Sequence, residues 1–136
     1  MKKSLILLIF LPVFVFSFNV YGYGSARGKW WKDQKIVNEL DLSNGQVNQI
    51  EGIFSSYKGH IIDLDSQLRK KQKELRAKIK NPNSTREEIL RLTDEVEKLK
   101  VDLRGVQVDM YLRIRDVLTP QQRSKLEDIK AKSGDH

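Results

Sequence analysis

The fold is decided by one stretch, residues 47–75, which reads VNQIEGIFSSYKGHIIDLDSQLRKKQKEL. Its apolar side chains recur at alternating steps of three and four residues, at Val47, Ile50, Phe54, Tyr57, Ile61, Leu64, Leu68 and, beyond Lys71, Leu75. Heptad spacing sustained over about four repeats predicts a long helix that buries one narrow seam. Asn81-Pro82-Asn83 then ends this helix, because proline lacks an amide hydrogen and restricts the residue before it.

A second apolar series follows the proline at the same spacing, at Ile89, Leu92, Val96, Leu99, Leu103, Val106, Met110 and Val117. Two helices joined by so short a connection run antiparallel and make a long, thin hairpin. A shorter stretch upstream has Trp30, Val37 and Leu40 at helical spacing, and Pro120 opens a last short helix. The sequence therefore predicts an all-α fold, a long antiparallel helical hairpin with short flanking N- and C-terminal helices.

The helix starts are marked by two copies of one pattern, Leu-Ser/Thr-x-x-Gln. In each copy the hydroxyl oxygen can accept a hydrogen bond from the backbone amide of the glutamine three residues on. The glutamine side chain can accept one from the backbone amide of the Ser or Thr, and the two bonds make a capping box. The residues of the two copies are Leu42, Ser43, Gln46, Leu118, Thr119 and Gln122. Between them, Ser84 or Thr85, with Glu87 or Glu88, starts the second long helix. Spacing alone requires no role for either copy beyond starting a helix.

The amino terminus has the pattern of a secretory signal. Lys2 and Lys3 precede an apolar run and then small residues, with cleavage expected after Gly22 and Ala26 as the alternative position. A retained anchor helix is the other interpretation, but Pro12 interrupts a run of about 14 residues, whereas a membrane span needs ~20. We therefore divide the chain into a signal peptide at 1–22, a flexible lead-in at 23–29, a single all-helical domain at 30–132 and a frayed tail at 133–136.

Composition excludes several classes of protein. The 136 residues carry 25 Lys+Arg against 18 Asp+Glu, a net charge of +7, with no cysteine and two histidines. These values exclude a disulfide-stapled miniprotein, a cysteine-based zinc module, a cysteine nucleophile and a lipoprotein. No Ser/His/Asp arrangement can be proposed around either histidine, so we do not expect an enzyme.

The chain resembles the Spy/CpxP family of bacterial periplasmic proteins, including its zinc-resistance-associated, ZraP-like branch. The resemblance rests on the two Leu-Ser/Thr-x-x-Gln motifs, the Asn-Pro turn of the hairpin, the signal peptide and the Trp30-Trp31-Lys32 segment, and it extends to about Lys130. Ser43 stands where the family usually has threonine, a change that preserves the cap.

The resemblance implies a periplasmic location and a thin, curved, all-helical homodimer that forms a cradle. It also implies an ATP-independent chaperone for unfolded or misfolded envelope proteins, or an envelope-stress accessory. The alternative that it implies is a heavy-metal (zinc)-binding resistance or sensor protein that modulates a stress-response system, with a sensor kinase as a partner. A purely structural, envelope-associated coiled protein is the third interpretation.

Zinc binding has few residues to draw on in this chain. Zinc takes three or four nitrogen, sulfur or oxygen ligands, and the candidates are His60, with Asp63 one turn further on, and His136 at the carboxyl end. The histidine-rich ends of the family are absent, so a second subunit or further carboxylates would have to complete a site around His60.

Two sets of residues suggest a surface for partners. Cations are concentrated in the last turns of the first long helix, and they include Lys70, Lys71, Lys73, Arg76 and Lys78. Positive charge at this position also stabilises the carboxyl end of a helix and increases solubility. Apolar residues outside the seam of the second long helix form a strip, which comprises Leu90, Val101, Val108 and Leu112. We expect this basic and partly apolar surface to hold client proteins or a second copy, in a homodimer or a higher oligomer. We do not expect nucleic acid, because no aromatic residues interleave the cations.

Overall fold

Two long antiparallel helices dominate the structure, a computed structural model that describes residues 28–134. A 3-10 turn at Trp30–Lys32 precedes helices α1 (Gln34–Glu39), α2 (Asn44–Lys80), α3 (Arg86–Val117) and α4 (Pro120–Gly134). Within this part of the chain there is no strand, and α2 packs along α3. The prediction of an all-α hairpin with short flanking helices is confirmed. The expected signal peptide at 1–22, the start of the lead-in and His136 lie outside the described residues.

The capping residues bound the helices as the sequence indicates. The Ser43 hydroxyl accepts from the Gln46 amide at 3.1 Å, and the Gln46 side chain accepts from the Ser43 amide at 3.1 Å, so α2 starts in a capping box. Of the two candidate starts for α3, Thr85 is the N-cap and Glu88 completes its box. At the other end of α2, the amide of Asn81 bonds to carbonyls of the last turn, and proline follows.

The main core lies at one end of the hairpin, where the 3-10 turn and the four helices of the described chain meet. Its buried side chains are Trp31, Leu40, Ile50, Phe54, Met110, Ile114, Leu118 and Leu126. Of the two adjacent tryptophans, Trp31 is buried, at 1% exposure, and Trp30 is half-buried. The helical spacing of Trp30 and Val37 does not put them on one continuous helical face, because Asp33 caps a new helix between them.

Beyond this core the hairpin is a simple two-helix seam. Leu64 and Leu68 of α2 and Leu92 and Val96 of α3 are the buried residues there. The 37 residues of α2 span about 55 Å at 1.5 Å per residue, so the seam extends far from the main core. No helix in the described residues has both the length and the apolar character that crossing a bilayer requires.

Candidate functional site

The two glutamines of the repeated motif contact each other at the end of the hairpin that contains the main core. The Gln46 amide nitrogen donates to the side-chain oxygen of Gln122 at 2.8 Å, and the Gln122 nitrogen donates back to that of Gln46 at 3.2 Å. Each oxygen also accepts from the backbone amide of its own N-cap residue, Ser43 or Thr119. The amide pair therefore joins the start of α2 to the start of α4, which local spacing along the sequence did not indicate.

The remaining hydrogen of each glutamine amide is also used. Gln46 donates to the Val117 carbonyl at 3.0 Å, and Gln122 donates to the Leu40 carbonyl at 3.1 Å. An amide side chain has two donor hydrogens and two main acceptor directions, so all of these sites are filled in both glutamines. The pair also holds the turn at Asp41, the one described non-glycine residue with a left-handed φ, of 51°. The motif thus closes the end of the hairpin as well as starting its helices.

Glu51 anchors the chain before α1 onto α2. Its carboxylate accepts from the Trp31 indole at 2.7 Å and lies 3.3 Å from each of the ammonium groups of Lys29 and Lys32. The indole hydrogen bond is the main cause of a lowered pKa for Glu51, and the two lysines lower it further. Lys29 also lies 4.3 Å from the centroid of the Phe54 ring. Sequence reasoning missed Glu51 because its partners are about twenty residues away and no local pattern joins them.

Lys71 and Lys78 replace apolar residues in the α2 seam and form ion pairs there. Lys71 lies 2.7 Å from Glu95 of α3 and 3.2 Å from Glu74, and Lys78 lies 3.2 Å from Glu88. The hydrogen bond to Glu95, followed by that to Glu74, raises the pKa of Lys71, and the same pair lowers the pKa of Glu95. These lysines therefore link the two helices, and their charges are balanced within the hairpin.

The other cations of the predicted surface point elsewhere. Lys70, Lys73 and Arg76 are exposed, and their helical positions place them on the side of α2 away from the seam with α3. The structure therefore divides the basic set into two seam lysines, Lys71 and Lys78, and an outer group.

The apolar strip predicted on α3 is exposed along its whole length. The exposed fractions are 49% for Leu90, 69% for Val101, 44% for Val108 and 45% for Leu112. These residues lie about half a helical turn from the buried seam residues of α3, so they face away from α2. The outer group of cations and the apolar strip consequently occupy opposite edges of the hairpin, and the predicted basic and apolar residues do not form one continuous patch.

Gly105 lies within this strip, and a Cβ atom built on it would have no neighbour within 4 Å. Charged residues of both signs border the strip, with Asp94, Glu97 and Lys98 before Val101 and Arg104, Arg115 and Asp116 after it. Its centre at Gly105 is therefore open, and charges of both signs surround its apolar side chains.

A polar cluster links the two long helices beside the main core. The Tyr57 hydroxyl donates to the Asp109 carboxylate, which also accepts from Arg113 at 3.3 Å. The phenol hydrogen bond lowers the pKa of Asp109, while the same carboxylate raises the pKa of Tyr57. A phenol with a raised pKa stays protonated at neutral pH, so the cluster acts as an interhelical tie.

The candidate zinc ligands within the described residues, His60 and Asp63, are not grouped with a third histidine or acidic side chain. His60 and Asp63 are both exposed on α2, and Asp63 accepts from Gln67 at 2.8 Å. Across residues 28–134 no three histidine or acidic side chains are grouped so that they could hold a metal ion. His136 lies beyond the described residues.

Comparison with known proteins finds no relative: no family model, no curated protein and no solved structure matches this chain.

Proposed function

We propose that this protein is a periplasmic, ATP-independent chaperone of the Spy/CpxP type, which holds unfolded or misfolded envelope proteins on the apolar strip of α3. The observation that carries the proposal is the exposure of four aliphatic side chains on one face of a long helix, at Leu90, Val101, Val108 and Leu112. Exposed apolar side chains that share one helix face and are bordered by polar residues are typical of a protein-binding site.

The strip suits a client without a fixed shape. It has no deep pocket, Gly105 leaves open space at its centre, and charges of both signs flank it. Non-native chains offer short apolar segments in many arrangements, which a shallow linear strip can contact without exact complementarity. Burying the exposed parts of Val101, Val108 and Leu112 supplies about 3 kcal/mol, or about a hundredfold in Kd.

The proposal includes a homodimer in which two strips cover each other when no client is bound. In an antiparallel pairing centred between Arg104 and Gly105, Val101 of one copy lies opposite Val108 of the other. The same pairing places Asp94 opposite Arg115, so two pairs of opposite charge face each other across the dimer. Client then competes with the second copy for the same apolar residues.

The chaperone proposal is tested by light scattering of reduced α-lactalbumin with and without the protein and without ATP. We expect the protein to suppress aggregation at several-fold molar excess. A variant with Val101→Gln, Val108→Gln and Leu112→Gln loses this suppression, because it lacks the apolar side chains of the strip that contact the client. The matched control carries Ile62→Gln and Ile79→Gln, which remove exposed isoleucines of α2 (57% and 59% exposed) and leave suppression intact.

Absence of suppression by the unmodified protein contradicts the chaperone proposal, as does equal loss in both variants. Repeating the assay with zinc addresses the heavy-metal alternative, since suppression that appears only with zinc would favour it.

Self-association is tested separately by sedimentation velocity at micromolar concentration. We expect a dimer for the unmodified chain. Asp94→Arg or Arg115→Asp alone weakens it, because each places like charges opposite one another, and the two together restore it. A stable monomer, or a double variant no better than the single ones, contradicts the pairing described here.

A further inference from the structure

The carboxyl end of α2 carries an unusual concentration of positive charge. Residues 69–80 read RKKQKELRAKIK, with seven cations and one acidic residue. These cations lie on two sides of the helix. Lys71 and Lys78 lie in the seam, where they form ion pairs with Glu95, Glu74 and Glu88. The only acidic residue of the segment is thus used in balancing a seam lysine.

The remaining five cations form what we call the basic edge: Arg69, Lys70, Lys73, Arg76 and Lys80. All five are exposed. Arg69 pairs with Asp65 at 2.9 Å, whereas within residues 28–134 no ion pair is formed by the other four. Their charge therefore remains available on the side of α2 opposite its seam.

The geometry of the basic edge is a straight line. Arg69, Lys73, Arg76 and Lys80 follow one another at steps of four, three and four residues, which places them on one side of the helix. The line is about 17 Å long at 1.5 Å per residue. Ile62 lies on the same line towards the start of α2 and is 57% exposed.

We propose that the basic edge binds the surface of an anionic lipid bilayer, with α2 lying parallel to the membrane plane. A planar surface can meet every cation of a straight edge at once, and long Lys and Arg side chains reach its phosphates without a fixed spacing between them. An acidic protein partner fits less well, because specific protein interfaces have an apolar or aromatic centre, whereas Ile62, the exposed apolar residue on this line, lies seven residues before Arg69 and outside the group of cations. The interaction is electrostatic and lies on the edge opposite the α3 strip.

The strength of this interaction follows from the number of cations. Each Lys or Arg close to an anionic membrane surface improves partitioning by about fivefold at low ionic strength. Removing three of the five lowers partitioning by about a hundredfold. Salt weakens the binding steeply, since the Debye length is only ~10 Å at 0.1 M.

The test is co-sedimentation of the purified protein, as the expressing cell releases it, with phosphatidylcholine vesicles that contain one quarter phosphatidylglycerol. The basic-edge variant carries Lys73→Gln, Arg76→Gln and Lys80→Gln. The matched control carries Lys98→Gln, Lys125→Gln and Lys132→Gln, which remove the same charge from exposed positions on α3 and α4. Circular dichroism of both variants verifies that the helices remain.

We expect the basic-edge variant to bind about a hundredfold more weakly and the control to remain within severalfold of the unmodified protein. We also expect little binding to pure phosphatidylcholine vesicles, with loss of binding to the anionic vesicles as salt rises. Equal weakening of both variants, equal binding to neutral vesicles, or tighter binding to soluble polyglutamate than to anionic vesicles overturns the proposal.

Failure here is distinguishable from failure of the chaperone proposal, because the two surfaces are on opposite edges. The strip variant with Val101→Gln, Val108→Gln and Leu112→Gln retains vesicle binding if the basic edge alone meets the membrane. The basic-edge variant likewise retains suppression of α-lactalbumin aggregation measured without lipid. Loss of vesicle binding in the strip variant overturns the assignment to the basic edge.

Discussion

The paired glutamines offer the most exacting test of this fold. Gln122→Ala removes the hydrogen bond that returns to the Thr119 amide, both bonds shared with Gln46, and the bond to the Leu40 carbonyl. Each such bond contributes a net ~0.5–1.5 kcal/mol. We therefore expect the free energy of unfolding to fall by about 2–4 kcal/mol, measured by urea denaturation followed by circular dichroism. Gln46→Ala removes a comparable set of bonds and should cost a comparable amount.

The double variant carries the decisive information. Because two hydrogen bonds are common to both single losses, the cost of the double substitution should be smaller than the sum of the two by about 1–2 kcal/mol. Gln121→Ala is the matched control, since Gln121 is exposed and adjacent, and it should change stability by less than ~0.5 kcal/mol. Additive single costs would refute the reasoning, because they would mean that each glutamine acts only as the cap of its own helix.

Other consequences of the structure concern the anchor, the tryptophans and the glycines. The folded-state pKa of Glu51 lies below 4.5, so its carboxylate stabilises the folded state above that pH, and this contribution disappears as pH falls through the folded-state pKa. The difference in unfolding free energy between the unmodified protein and Glu51→Gln should therefore shrink on acidification. A difference that grows on acidification would contradict this prediction. Trp31→Ala should cost ~3–5 kcal/mol and Trp30→Ala clearly less in urea unfolding, since Trp31 is the buried one; equal costs would contradict the packing. Gly59→Ala should raise the free energy of unfolding by ~0.4–1 kcal/mol, because the added methyl group meets nothing within 4 Å. A lower melting temperature for this variant would show that another chain packs against Gly59.

Much of the fold can be read from local patterns. The 3.5-residue spacing of apolar side chains, the hydroxyl residues at the helix starts and the proline at position 82 act within a few residues of themselves, so they predict the two long helices and their ends. Where a new cap interrupts the pattern, the same logic fails. Asp33 starts a new helix between Trp30 and Val37, so their helical spacing does not give them a common face, and the neighbouring Trp31 is the tryptophan in the core.

The candidate surfaces were only partly predictable. The exposed strip at Val101 and Val108 follows from one helical period, because residues half a turn from the seam must face outward. The assignment of Lys71 and Lys78 to the same surface as Lys73 did not anticipate Glu95 and Glu88, which lie on the other helix and bind the two seam lysines.

The amino-acid sequence alone determined that residues 30–132 form helices, where the long ones begin and end, and that they turn back at a proline, because capping and periodicity act over one or two turns. The tertiary structure decided which groups from distant turns meet: Gln46 with Gln122, Glu51 with Trp31, and Lys71 with Glu95. It also separated the basic edge from the apolar strip, since the side on which a cation lies depends on which face of α2 packs against α3. Contacts between residues twenty to seventy-six positions apart depend on how whole helices pack, and no short-range pattern in the chain encodes that arrangement.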